Sequence, residues 1–130
     1  GYGIGGARMT DLMHRVRQPF NVNAAAQWAA LAALEDDDHV RRSLRVNREG
    51  MDYLKGEIDK LGLEQIPSQA NFILVRVGDG QAVFTRLLKR GVIVRPMGAY
   101  DFPEHIRVTI GTSNENSRFI SELKDIIKAH

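Results

Sequence analysis

The sequence contains no cysteine. Disulfides, thiolate metal sites and a cysteine nucleophile are thereby excluded, and the composition fits a reducing compartment. No apolar run reaches membrane-spanning length, and the N-terminus lacks the basic-then-apolar order of a signal peptide. The chain is therefore expected to be soluble and cytoplasmic, with no membrane partner. A strong excess of either charge is missing too. The net charge is +2, with acidic and basic residues interspersed, which gives nucleic-acid binding no support. His14, His39, His105 and His130 show no ligand spacing, so no metal site is expected. No internal repeat or low-complexity tract interrupts the chain.

What is present is ordinary for a globular protein. The chain has 130 residues, 43% hydrophobic and 26% charged, enough for one domain with a sizeable core and far from a disordered composition. It opens at Gly1 and runs directly into GYGIGG, which reads as a strand already under way. A lone strand cannot satisfy its own backbone groups, so the chain is expected to be the C-terminal part of a longer protein. GYGIGG lacks the strand-to-helix setting and spacing of a dinucleotide-binding fingerprint.

Thr10 or Asp11 is placed to cap a short helix through Leu12, Met13 and Val16, ended by Pro19. QPFNVN then reads as a loop, with Asn23 as the N-cap of an alanine-rich helix whose small side chains suggest close packing on another element. The acidic run Glu35 to Asp38 suits the N-terminus of a further helix better than a metal site. Along that helix Val40, Leu44, Met51, Leu54, Ile58 and Leu61 recur at spacings of a helical stripe, expected to be a packing face, and Gly62 supplies the stop.

The remainder alternates. NFILVRV (71–77) reads as a strand covered on both faces. Asp79 caps a helix carrying Val83, Phe84, Leu87 and Leu88 and closed by Gly91. VIVR is a second strand, stopped by Pro96, and IRVTI a third. Thr112 and Glu115 form the capping box T-S-N-E, opening a last helix with Phe119, Ile120, Leu123, Ile126 and Ile127 inward. The expected class is α/β, or more narrowly an α+β small domain, in which long helices lead into a small sheet with flanking helices.

Residues able to carry chemistry are few. Lys55, Lys60, Lys89, Lys124 and Lys128 all fall on helices among other charges, poor settings for a lysine that must lose its proton. No acid, base or nucleophile stands out, so no catalytic residue is assigned. Two arginines at strand ends remain, Arg95 in VIVRPM and Arg107 in EHIRVTIGT. In the second stretch Ile106, Val108 and Ile110 alternate with Arg107 and Thr109, placing the arginine on the face away from the apolar residues. Two readings stand: separate surface charges pointing into water, or, if the strands are neighbours, a pair of guanidiniums gripping a carboxylate or phosphate.

The wording GYGI, MHRVRQPFNVNAAAQWAALAAL, SQANFILVRV, KRGVIVRPM and HIRVTIGTSNEN, in that order and spacing, resembles the C-terminal portion of the fold-type I pyridoxal-phosphate aminotransferases, most closely the histidinol-phosphate aminotransferase family. The resemblance covers essentially the whole chain. It implies residues 1–22 as an edge of a large cofactor-binding domain, 23–61 as connecting helices, and 62–130 as a small substrate-anchoring domain. It implies pyridoxal 5'-phosphate as cofactor, a Schiff-base lysine upstream of Gly1, and a homodimer. The implied reaction interconverts histidinol phosphate and 2-oxoglutarate with imidazole acetol phosphate and glutamate, with this chain inactive by itself. Arg107 matches the arginine that grips the anionic end of the substrate, and Arg95 matches a second arginine near it. Asn71 matches a position at the start of a small-domain strand. Similar sequences include other class I and II aminotransferases and threonine-phosphate decarboxylase-like enzymes. A non-catalytic α/β binding module is the alternative outside that class.

Overall fold

The structure, a computed structural model, describes residues 3–128. The chain divides into two compact units, Gly1–His39 and Val40–His130.

In the first unit, Gly3–Gly6 belong to no regular element, so the strand expected at GYGI is not found there; Gly1 and Tyr2 lie outside the described residues. Helix α1 spans Ala7–Val16 and begins after Gly6, earlier than a cap at Thr10 or Asp11 would place it. Both residues are occupied within the helix. The Thr10 hydroxyl donates to the Gly6 carbonyl at 3.2 Å, and Asp11 pairs with Arg15 one turn on. Helix α2 spans Ala24–Glu35, and the Asn23 Oδ1 accepts from the Ala26 amide at 2.8 Å, as expected of its N-cap. None of its residues is buried, so the close packing expected of the alanine-rich helix is not found among the described residues.

Helix α3 spans Asp37–Lys60. Asp36 accepts from the His39 amide at 2.8 Å, and Asp37 and Asp38 lie in the first turn, where carboxylates oppose the helix dipole favourably. The apolar stripe is buried only in its second half. Met51, Leu54 and Ile58 enter the core, whereas Val40 and Leu44 are exposed, because the sheet meets only the C-terminal turns. Gly62 ends the helix at φ +70°. Its amide bonds the Asp59 carbonyl and the Leu63 amide reaches back to Ile58, satisfying carbonyls the helix leaves open.

Four strands follow: β1 (Gln65–Ile66), β2 (Phe72–Arg76), β3 (Arg95–Pro96) and β4 (His105–Thr109). They form one antiparallel sheet in the order β1-β2-β4-β3. β1 was not expected, since a two-residue edge strand has no periodicity to read. Val92–Val94, expected within the second strand, are unpaired, and pairing begins at Arg95. Pro96 does not stop the strand but sits in it. An edge strand tolerates a residue without an amide, and the next amide, of Met97, resumes the ladder to the His105 carbonyl at 3.1 Å.

Helix α4 (Gly80–Lys89) is capped by Asp79, whose side chain accepts from Ala82 at 2.9 Å, and Gly91 closes it as Gly62 closes α3. Helix α5 spans Ser113–Lys128. Ile73 and Val75 of β2 and Ile106 and Val108 of β4 share a core with Leu54, Ile58, Leu87 and Leu123 from α3, α4 and α5. The helices thus cover one face of the sheet. Each fully buried side chain of this kind contributes about 1.5–3 kcal/mol. The strand expected to be covered on both faces is covered on one: Phe72 and Leu74 are only partly buried. Among the described residues Asn116 is the one buried polar side chain. Its Oδ1 accepts from the Gly111 amide at 2.9 Å and its Nδ2 donates to the Gly111 carbonyl at 3.0 Å.

The T-S-N-E box forms as expected. Glu115 Oε2 accepts from the Thr112 amide at 2.8 Å and hydroxyl at 2.7 Å, and these bonds, the backbone one first, hold its carboxyl below the ordinary glutamate value. A folded-state pKa below the unfolded one gives a contribution present above the unfolded value and lost as pH falls through the folded one. Glu115→Gln is therefore expected to be less stable than wild type at neutral pH. That difference should close as the pH is lowered below the ordinary glutamate value, as read from urea midpoints across a pH series.

Candidate functional site

The face of the sheet away from the helices carries the candidate site. Along β4 the core takes Ile106 and Val108, so Arg107 and Thr109 turn to the other face. In antiparallel pairing, directly opposed residues share a face. Arg107 lies opposite Leu74 of β2 on one side and opposite Arg95 of β3 on the other. The two arginines singled out in the sequence are thus immediate cross-strand neighbours, joined through the loop that contains the 3-10 turn Gly98–Tyr100.

Among the described residues each guanidinium has one non-covalent partner. The Arg107 Cζ lies 5.0 Å from the ring centroid of Phe72, and Arg95 Nη1 donates to the Tyr100 hydroxyl at 3.4 Å. Arg107 Nε is buried without an acceptor. Among the described residues neither arginine has a carboxylate partner, in contrast to Arg76 on the same face. Arg76 is bridged to Glu64 at 3.2 Å and Glu104 at 2.9 Å, and the hydrogen bonds it donates to these two glutamates, Glu64 first, raise its pKa further. Among the described residues one arginine of this face is neutralised by glutamates and the other two have no carboxylate beside them.

The pair borders an open cleft of about 370 Å³, walled by Phe84, Ile93, Pro96 and Thr109. An anion seated there would meet two planar donor groups from adjacent strands over an apolar floor, the arrangement suited to a carboxylate or phosphate. Asn71 lies one residue before β2 and its carbonyl accepts from the Ile110 amide at 2.9 Å, continuing the β2–β4 ladder. No hydrogen bond joins its side chain to either arginine. Phe72 and Tyr100 escape a reading of the sequence because their contacts depend on strand register and on the path of a loop, neither of which periodicity reveals.

No lysine of the chain is set up to form an imine. Lys60 is hydrogen-bonded to Glu57 at 2.7 Å, and that contact raises its pKa, the wrong direction for a nucleophile. Lys55, Lys89, Lys124 and Lys128 lie on the surfaces of α3, α4 and α5. Among the described residues no cluster of His, Cys, Asp or Glu has the geometry of a metal site, and no helix is long and apolar enough to cross a membrane.

The family profile described as aminotransferase class I and II matches residues 1–123. The chain belongs to this family. It is 51% identical over 129 residues to histidinol-phosphate aminotransferase 1 of Thiobacillus denitrificans and 52% identical over 128 residues to the histidinol-phosphate aminotransferase of Methylobacillus flagellatus. These alignments take in 99% and 98% of the chain but only 34% and 35% of the relatives, so the chain spans about a third of their length. Its fold is similar to that of the histidinol-phosphate aminotransferase of Sinorhizobium meliloti, crystallised in complex with pyridoxal-5'-phosphate. The TM-score is 0.77 at 23% identity, over 94% of this chain and 35% of that one. The fold is that of an aminotransferase small domain, an antiparallel sheet with flanking helices.

Two like charges directly opposed on a sheet destabilise it. Arg95→Gln is therefore expected to raise the stability of the anion-free chain by about 0.2–1 kcal/mol at low salt. Inorganic phosphate should raise the urea midpoint of wild type more than that of the variant. An equal phosphate effect on both would remove Arg95 from the site.

Proposed function

We propose that the whole protein is a pyridoxal-phosphate-dependent transaminase that interconverts histidinol phosphate and 2-oxoglutarate with imidazole acetol phosphate and glutamate. In this reading the present chain anchors the substrate's anionic end. The observation that carries it is the directly opposed, uncompensated pair Arg95 and Arg107. A dianionic phosphate accounts for two converging guanidiniums where one often suffices for a carboxylate. The 51% identity to a protein named histidinol-phosphate aminotransferase supports the choice of substrate.

Within the proposal, Arg107 grips the phosphate or carboxylate and Arg95 reaches the same group. Asn71 shapes the site from the start of β2, through its backbone bond to Ile110. Holding the substrate at its remote anionic end fixes its orientation, which lowers the entropic part of the barrier. The cofactor does not fit this chain's own residues, since none of its lysines is placed for an imine. It is assigned to parts of the protein outside this chain, and no chemical step is derived through it. Residues 1–22 would then belong to the edge of a large cofactor-binding domain, 23–61 to connecting helices and 62–130 to the substrate-anchoring domain, in a cytoplasmic homodimer.

The test is kinetic, on the whole protein. Histidinol phosphate is expected to give a higher kcat/KM than aromatic amino acids or threonine phosphate; a reversed ranking would overturn the substrate assignment. Arg107→Ala should lower kcat/KM for histidinol phosphate by a factor equivalent to about 2–5 kcal/mol, as when a charged pair loses one partner. An unchanged value would remove Arg107 from the site. The 130-residue chain by itself is expected to show no transamination when supplied with pyridoxal phosphate, glutamate and the keto substrate.

A further inference from the structure

Resting on the anion-binding reading above, we propose that Phe72 is a positioning residue for Arg107. It holds the guanidinium in place while leaving its hydrogen-bond donors free for the incoming anion.

An arginine side chain has several soft torsions, and something must restrict them if its guanidinium is to present a planar edge to a ligand. Among the described residues no carboxylate, carbonyl or amide does so for Arg107. Its Nε has no acceptor, its neighbour on β2 is the apolar Leu74 and its neighbour on β3 is the like-charged Arg95. The contact that remains is the Phe72 ring at 5.0 Å, within the range of a cation–π interaction.

The choice of an aromatic partner has a chemical consequence. A glutamate would also immobilise Arg107, as Glu64 and Glu104 immobilise Arg76. It would do so by consuming N–H donors and cancelling charge, and a substrate anion would then have to displace it. An aromatic face attracts the cation through its quadrupole and accepts none of the in-plane N–H bonds. The guanidinium stays held, charged and uncommitted.

The strand that carries the ring is itself fixed. Phe72 is paired with Thr109 in the β2–β4 register and is half-buried, and the adjoining Asn71 carbonyl is bonded to Ile110. Phe72 stands diagonally across the strands from Arg107, a separation that an aromatic and a long side chain can bridge.

The test uses the 130-residue chain with inorganic phosphate as probe, followed through the Arg107 Nε–Hε resonance by nitrogen-15 NMR. The resonance is assigned by its loss in Arg107→Lys. Phe72→Leu keeps an apolar side chain and removes the π face, and is expected to weaken phosphate binding about three- to tenfold. Phe72→Tyr keeps the face and should bind as wild type does. Site-specific replacement of Phe72 by a ring-difluorinated phenylalanine keeps the shape and withdraws electron density from the face. It should weaken binding while lowering the thermal midpoint of the phosphate-free chain by no more than about a few degrees, whereas a merely structural role would lower the midpoint and leave binding unchanged, and it carries the test if Phe72→Leu fails to fold. Wild-type binding that is unchanged on fluorination overturns the positioning role and leaves the anion site standing. No phosphate response at Arg107 in wild type overturns both.

Discussion

The candidate site depends on one constraint, the period of two along β4. Ile106 and Val108 must enter the core shared by α3, α4 and α5, and this leaves Arg107 no other face to occupy. The same parity applied to the neighbouring strands brings Arg95 from β3 and Leu74 from β2 to that face, with Phe72 one pleat along. A slip of β4 by one residue would put a guanidinium against Leu54 and Leu123 and turn Ile106 and Val108 into water. The core and the candidate site are therefore specified together, and neither can change register alone.

The features legible in the sequence were those written within a few residues of one another. Asn23, Asp79 and the Thr112–Glu115 box cap their helices through contacts at most three residues long, and Gly62 and Gly91 close two helices through their own backbone freedom. The faces of β4 and α5 followed from periodicity. What stayed illegible depended on partners distant in sequence. β1 exists only because β2 is there to pair with it, and Pro96 joins a strand because β3 is an edge. The exposure of Val40 and Leu44 follows from where the sheet ends, which their own spacing does not record. The arginine pair was half legible: both residues were visible as strand arginines, but their direct opposition was a property of register, and Phe72 belonged to neither stretch.

The three arginines on the open sheet face show how one residue type is given different tasks by its neighbours. Arg76 is tied to two glutamates and fastens the β1 and β4 ends of the sheet. Among the described residues the partners of Arg95 and Arg107 are uncharged, a tyrosine hydroxyl and a phenylalanine ring.

Asn116 carries a consequence of another kind. Its carboxamide faces the Gly111 backbone with a donor and an acceptor, as a neighbouring strand would. Gly111 lies beyond the end of β4, yet its amide proton is sheltered by a side chain of α5. Its exchange with deuterated solvent should therefore follow the opening of the first turns of that helix and not the fraying of the sheet. The junction between the last strand and the last helix is in this sense a single mechanical joint, locked by an amide that is not part of the backbone.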